Sequence, residues 1–150
     1  MDDELSLLDA RADNAAQESG DSFAIPLEVF ERTAAICEKL PEVVVRVHRS
    51  AVPSRSAAYS FTVRRKSFCL LLAVRRGAGT PIPQLIVRVD PSDRESLVAV
   101  GRPFYPSRLG HDRIRIRLDG SLDWGEAREF VTESYRLTAP SKLIEQLDKS

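Results

Sequence analysis

The sequence predicts an α+β domain, an antiparallel β-sheet with helices packed on one face. Three observations carry that expectation. Apolar residues recur at every second position in several segments between about residues 43 and 118, with short turns between them, as in a meander of half-buried strands. Segments with three-and-four apolar spacing flank this region, so most of the helices stand outside the run of strands. The chain has 150 residues, 43% of them apolar, enough for one core without a disulfide or metal to hold it. No apolar run approaches the ~20 residues of a membrane span. The start Met1-Asp2-Asp3-Glu4 lacks the basic region of a signal peptide, so a cytoplasmic protein is expected.

Taken in order, residues 1–22 are acidic and rich in Ala, Asp and Ser around one apolar cluster, Leu5, Leu7 and Leu8. They are expected to form a disordered tail with at most a turn or two of helix, ahead of a domain over 23–150. Pro26 opens a helix where its missing N–H costs nothing. Leu27, Phe30, Ala34, Cys37 and Leu40 make its apolar stripe, and Pro41 ends it. Val43, Val45 and Val47 begin the first strand, and residues 49–56 have turn composition. Tyr59, Phe61 and Val63 then alternate with Ser60 and Thr62. Arg64-Arg65-Lys66 makes a tight basic turn. The run from Phe68 to Val74 is apolar on both faces, which places it centrally in the sheet.

Residues 75–83 hold two prolines and two glycines and are expected to be a flexible hairpin loop before Leu85, Val87 and Val89 return. Asp90-Pro91-Ser92-Asp93 starts a short helix that stops at Gly101. Residues 102–111 read as an irregular aromatic and basic loop. Ile114, Ile116 and Leu118 alternate with Arg113, Arg115 and Arg117 in a last half-buried strand. Asp123 and Glu126 have capping-box spacing for a long helix whose apolar side is Trp124, Ala127, Phe130, Val131 and Tyr135. Pro140 ends it before a short helix over 141–148.

The net charge of zero hides an asymmetry. Residues 1–31 carry nine acids against one base, a net −8, and the remainder carries +8. The stretch 43–117 holds 15 bases and 4 acids, a net +11. Only four of the bases are lysines. Arginine's fork suits phosphate and carboxylate, although a GC-rich coding sequence gives the same bias.

Several segments, in collinear order over about 35–143, resemble the MmcQ/YjbR family of small bacterial proteins. Ile36-Cys37-Glu38-Lys39-Leu40-Pro41-Glu42-Val43 is similar to the family's helix end, and Phe61 to Phe68 to its first hairpin. Asp90 to Leu97 resembles its aspartate-proline helix start. Arg117-Leu118-Asp119-Gly120, Asp123-Trp124, Glu133 to Leu137 and Ala139-Pro140 make the best match. The resemblance implies a CyaY-like α/β sandwich and a double-wing DNA-binding protein, with no catalytic residues. The chain departs from the pattern at Arg65, where the family has glycine, so that turn must be built differently or be strained. Ile114 replaces a tryptophan, the loop 75–83 is longer, and the acidic tail is extra.

Arg113, Arg115 and Arg117 share one strand face at about 6.8 Å intervals. They form either a row that follows a phosphate backbone, extended by Arg88, or an ordinary solvated face partly paired with Asp112. Arg64, Arg65, Lys66, Arg75 and Arg76 lie in hairpin turns, with Arg102 and Arg108 in the later loop. They are wing tips for phosphates, with Tyr105 or Phe104 against a base or sugar, or else solubilising charges. No helix carries a base-reading cluster, so contacts are expected to be backbone-dominated and weakly specific.

His48 and His111 lack ligand spacing, and Cys37 and Cys69 fall within apolar periodicity, so no metal, cofactor or nucleophile is expected. The acidic tail is either a solubilising extension or a segment that folds back on the basic middle. The expected function is non-enzymatic, salt-dependent DNA binding by a monomer. The alternatives are a protein- or peptide-interaction adaptor and, third, a small-molecule domain using loop 102–111.

Overall fold

The computed structural model describes residues 25–48, 58–74, 82–120 and 122–149. The expected disordered tail and the tip of the 75–83 loop lie outside these residues. The chain runs α1 (Leu27–Glu38), β1 (Val43–His48), β2 (Ala58–Val63), β3 (Lys66–Val74), β4 (Ile82–Arg88), α2 (Pro91–Val100), β5 (Phe104–Pro106), β6 (Arg113–Arg117), α3 (Trp124–Thr138) and α4 (Ser141–Asp148). The six strands form one antiparallel sheet in the order β1-β2-β3-β4-β6-β5, and the α+β class is the one the periodicity predicts.

The first face of the sheet carries Phe61, Val63, Phe68, Cys69, Leu71, Leu85, Val87, Ile114 and Ile116, all buried. The helices close over it. Ala127, Val131 and Tyr135 of α3 and Leu143 of α4 are buried in this cluster, and Leu97 and Val98 of α2 pack against it. Two local devices fix the ends of α3. The Asp123 carboxylate accepts from Glu126 N at 2.8 Å, capping its first turn. Near its other end Tyr135 donates its hydroxyl to Pro41 O at 2.7 Å, tying the helix to the entry of β1. Burial holds the Tyr135 phenol above the ordinary tyrosine value.

β3 is central and covered on both faces, as its sequence predicts. A bulge between Phe61 and Thr62 lets Phe68 and Cys69 both face the helices, while Leu70 and Leu72 point the other way.

Four expectations are corrected. Loop 102–111 contains β5, three residues hydrogen-bonded to β6, too short to leave a periodicity. β4 begins at Ile82, so Pro83 belongs to a strand, where its carbonyl accepts from Leu118 N at 2.8 Å. Leu27 is 70% exposed and outside the stripe of α1, which instead buries Thr33 and Cys37. The β6 face carrying the arginines is buried, with consequences developed next.

Candidate nucleic-acid interface

The turn between β2 and β3 is two residues long, and both residues have left-handed backbone: Arg64 at φ 49° and Arg65 at φ 69°. A two-residue hairpin with this twist needs φ > 0 at both positions, which glycine or asparagine meets most easily. The strain expected at Arg65 is therefore present, and Arg64 shares it. Arg64, Arg65 and Lys66 are all exposed. Arg64 Nε and Nη2 donate to the two carboxylate oxygens of Glu42 at 2.7 and 3.1 Å, a bidentate bridge to the residue before β1. That bridge holds the Glu42 carboxyl below the usual carboxylate range and raises Arg64.

Sheet topology sorts the predicted site residues into two groups. The β2–β3 turn lies at the end of the sheet where β4 finishes and β6 starts. That end gathers Arg64, Arg65, Lys66, Arg88, Arg108 and Arg113. Arg108 is exposed in the β5–β6 connection, three strand spacings or about 14 Å from the turn. Arg102 and Arg117 lie at the opposite end. Arg75 and Arg76 fall outside the described residues, in the connection that leaves the far end of the nine-residue β3. β3 itself runs about 27 Å from the β2–β3 turn to Val74.

The 113–117 row is not a solvated face. Arg113 and Arg115 are each 8% exposed, and Arg117 is half-buried. The reason is position: β6 is an inner strand, so its arginines stand opposite Gln84, Ile86 and Arg88 on β4 and beside Tyr105 on β5. Arg88 and Arg113 share Asp112, with Arg88 Nε 3.3 Å and Arg113 Nη1 3.4 Å from its Oδ2. Arg88 also donates to Leu137 O at 3.4 Å. Arg117 donates to the Tyr105 hydroxyl at 3.3 Å and its guanidinium lies 5.5 Å from that ring's centroid. Arg102 is bridged to Asp119 at 2.9 Å.

Phe104, a candidate for stacking on a base, is buried against Phe130 with centroids 5.4 Å apart, so it is a core residue. Tyr105 is half-buried and engaged by Arg117. Cys37 and Cys69 lie within hydrogen-bond reach of each other. That contact and burial push the Cys37 thiol far above its ordinary value, which makes it a poor nucleophile. Among the described residues no group of three His, Cys, Asp or Glu is placed to hold a metal. No described helix is long and apolar enough to cross a membrane.

Sequence comparison bears on this arrangement. The YjbR family model matches residues 38–137, two thirds of the chain. The chain belongs to the YjbR family. The match holds all twelve predicted site residues and the whole sheet, and it leaves out α4, nearly all of α1 and the acidic N-terminal segment. No curated protein and no solved structure matches the chain. Two features that the sequence reading missed are the role of Glu42 as partner of Arg64 and the inward turn of the β6 arginines. Glu42 sits 22 residues from Arg64, and nothing in either local pattern joins them.

Proposed function

We propose that this YjbR protein binds the phosphate backbone of duplex DNA with little sequence preference, using the end of the sheet that carries the β2–β3 turn. In this reading Arg64, Arg65, Lys66 and Arg108 meet phosphates, and the β2–β3 hairpin is one wing of the double-wing, CyaY-like arrangement that the family resemblance implies. The observation that carries it is the pair of consecutive arginines in left-handed backbone. An L-residue there costs roughly 1–2 kcal/mol relative to its relaxed conformation, and strain of this kind concentrates where a side chain has work to do. The buried arginines of β6 are structural, so the footprint is smaller than the sequence suggests.

The test is fluorescence anisotropy of a labelled duplex titrated with the full chain at several salt concentrations. Three or four phosphate contacts predict a log–log slope near −3, since each contributes about 0.9. Flat traces at low salt would end the proposal.

A second reading has its own support. β1 is an edge strand whose Val44, Val45 and Val47 are 59%, 43% and 45% exposed. An apolar edge is a template for strand addition by a peptide, which is the adaptor function.

A further inference from the structure

The second face of the sheet, opposite the helices, is apolar at its centre and cationic at one side. Leu70, Leu72 and Ile86 are 5%, 3% and 2% exposed. Among the described residues the apolar side chains packed with them are Leu109 and Ala58, and every described helix that joins a buried cluster joins the other one. Beside them stand Arg88, Arg113, Arg115 and Arg117, with Asp112 as the carboxylate that bridges the first two.

Two polar atoms here lack partners. Arg117 Nε and Gln84 Oε1 are buried with no hydrogen bond among the described residues. Buried polar atoms are nearly always satisfied, so this face fits a covering segment that supplies both carboxylate acceptors and aliphatic side chains.

Only one part of the chain has that chemistry. Residues 49–57 and 75–81, outside the described structure, carry two arginines each and no acid. Residues 1–24 carry seven acids and one base, together with Leu5, Leu7 and Leu8. The roughly 17 residues from Leu8 to Ile25 reach up to about 56 Å when extended, ample to pass from the start of α1 to the other face of the sheet. This segment also lies outside the family match, so it is an addition to the YjbR domain.

We infer that the acidic N-terminal segment covers the second face of the sheet, with Leu5, Leu7 and Leu8 on Leu70, Leu72 and Ile86 and its carboxylates on the arginines of β4 and β6. The cover is intramolecular, and it stands apart from the DNA reading. If both hold, an anionic partner gains access to Arg117 only by displacing the segment.

The test uses the full chain with Ser6→Cys carrying a nitroxide, Cys37 and Cys69 being 0% and 1% exposed and so shielded from the label. Methyl resonances report both faces at once. The expected result is loss of most intensity at Leu70, Leu72 and Ile86, with far smaller losses at Leu71, Leu85 and Ile114 on the helix face. Asp9→Lys/Asp13→Lys in the same labelled chain should restore much of the lost intensity. Equal losses on both faces, no losses, or losses unchanged by the lysines would overturn the inference. Mixing labelled chains with isotope-enriched unlabelled ones separates the remaining occupant. Broadening that survives only between molecules would assign the face to a second copy instead.

Discussion

Replacing Arg65 with glycine should stabilise this protein while weakening its hold on DNA. Arg65 is the second residue of a two-residue turn and sits at φ 69°, a region open to glycine and strained for arginine. Relieving that strain is worth roughly 1–2 kcal/mol. Glycine returns about 0.5–1 kcal/mol of it through the greater freedom of the unfolded chain. The net gain is therefore about 1 kcal/mol, or some 2–4 °C in Tm for a chain of this size. Arg65→Ala is the decisive companion. It removes the same charge and keeps the strain, so its Tm should fall below that of the glycine variant. Thermal and urea unfolding followed by circular dichroism measure both variants. In the duplex titration each variant should lower the magnitude of the salt slope by about 0.9, one phosphate contact. A glycine variant no more stable than the wild type, or an alanine variant equally stabilised, would refute the strain argument. An unchanged slope in both would remove Arg65 from the interface and leave the turn a structural oddity.

Four further outcomes follow from the geometry. Leu71→Ala, at a fully buried position of the central strand, should cost about 2–5 kcal/mol, read as a fall in the urea midpoint at unchanged m-value. Asp123→Ala removes the cap of α3 and should cost about 1 kcal/mol, checked by the same unfolding curves. Tyr135 should make stability fall in alkali. An unfolded chain releases the phenolic proton near pH ~10, whereas burial makes the native chain hold it to higher pH, so the native state weakens as pH climbs past about 10. Tyr135→Phe should flatten that alkaline fall and cost about 1 kcal/mol at neutral pH through the lost bond to Pro41. Arg115→Ala should lower Tm because its arm is packed under the sheet, whereas Lys66→Ala, exposed at the turn, should leave Tm alone and reduce only the salt slope.

Much of this protein was legible without coordinates, and for identifiable reasons. Strand periodicity of two and helix spacing of three and four are local properties, so five of the six described strands and all four described helices follow from residues that are neighbours in the chain. The apolar run of β3 announced its own central place. The glycine missing at Arg65 announced the strained turn, because the backbone demand of a two-residue hairpin is also local. β5 escaped because three residues leave no period to read.

The candidate site divides along the same line. Alternation correctly put Arg113, Arg115 and Arg117 on one face together. Which strands flank that face, and what lies over it, are set by pairings between residues far apart in sequence. Only the register placed Arg115 opposite Ile86 and Arg113 opposite Arg88, and only that neighbourhood turned an expected basic surface into a buried one. The Glu42–Arg64 bridge was decided the same way. The elements, the faces and the opposed charges of the N-terminal segment and the rest depend on the order of residues along the chain, and so could be read from it. The tertiary structure decided which arginines reach solvent, because exposure belongs to the assembled sheet.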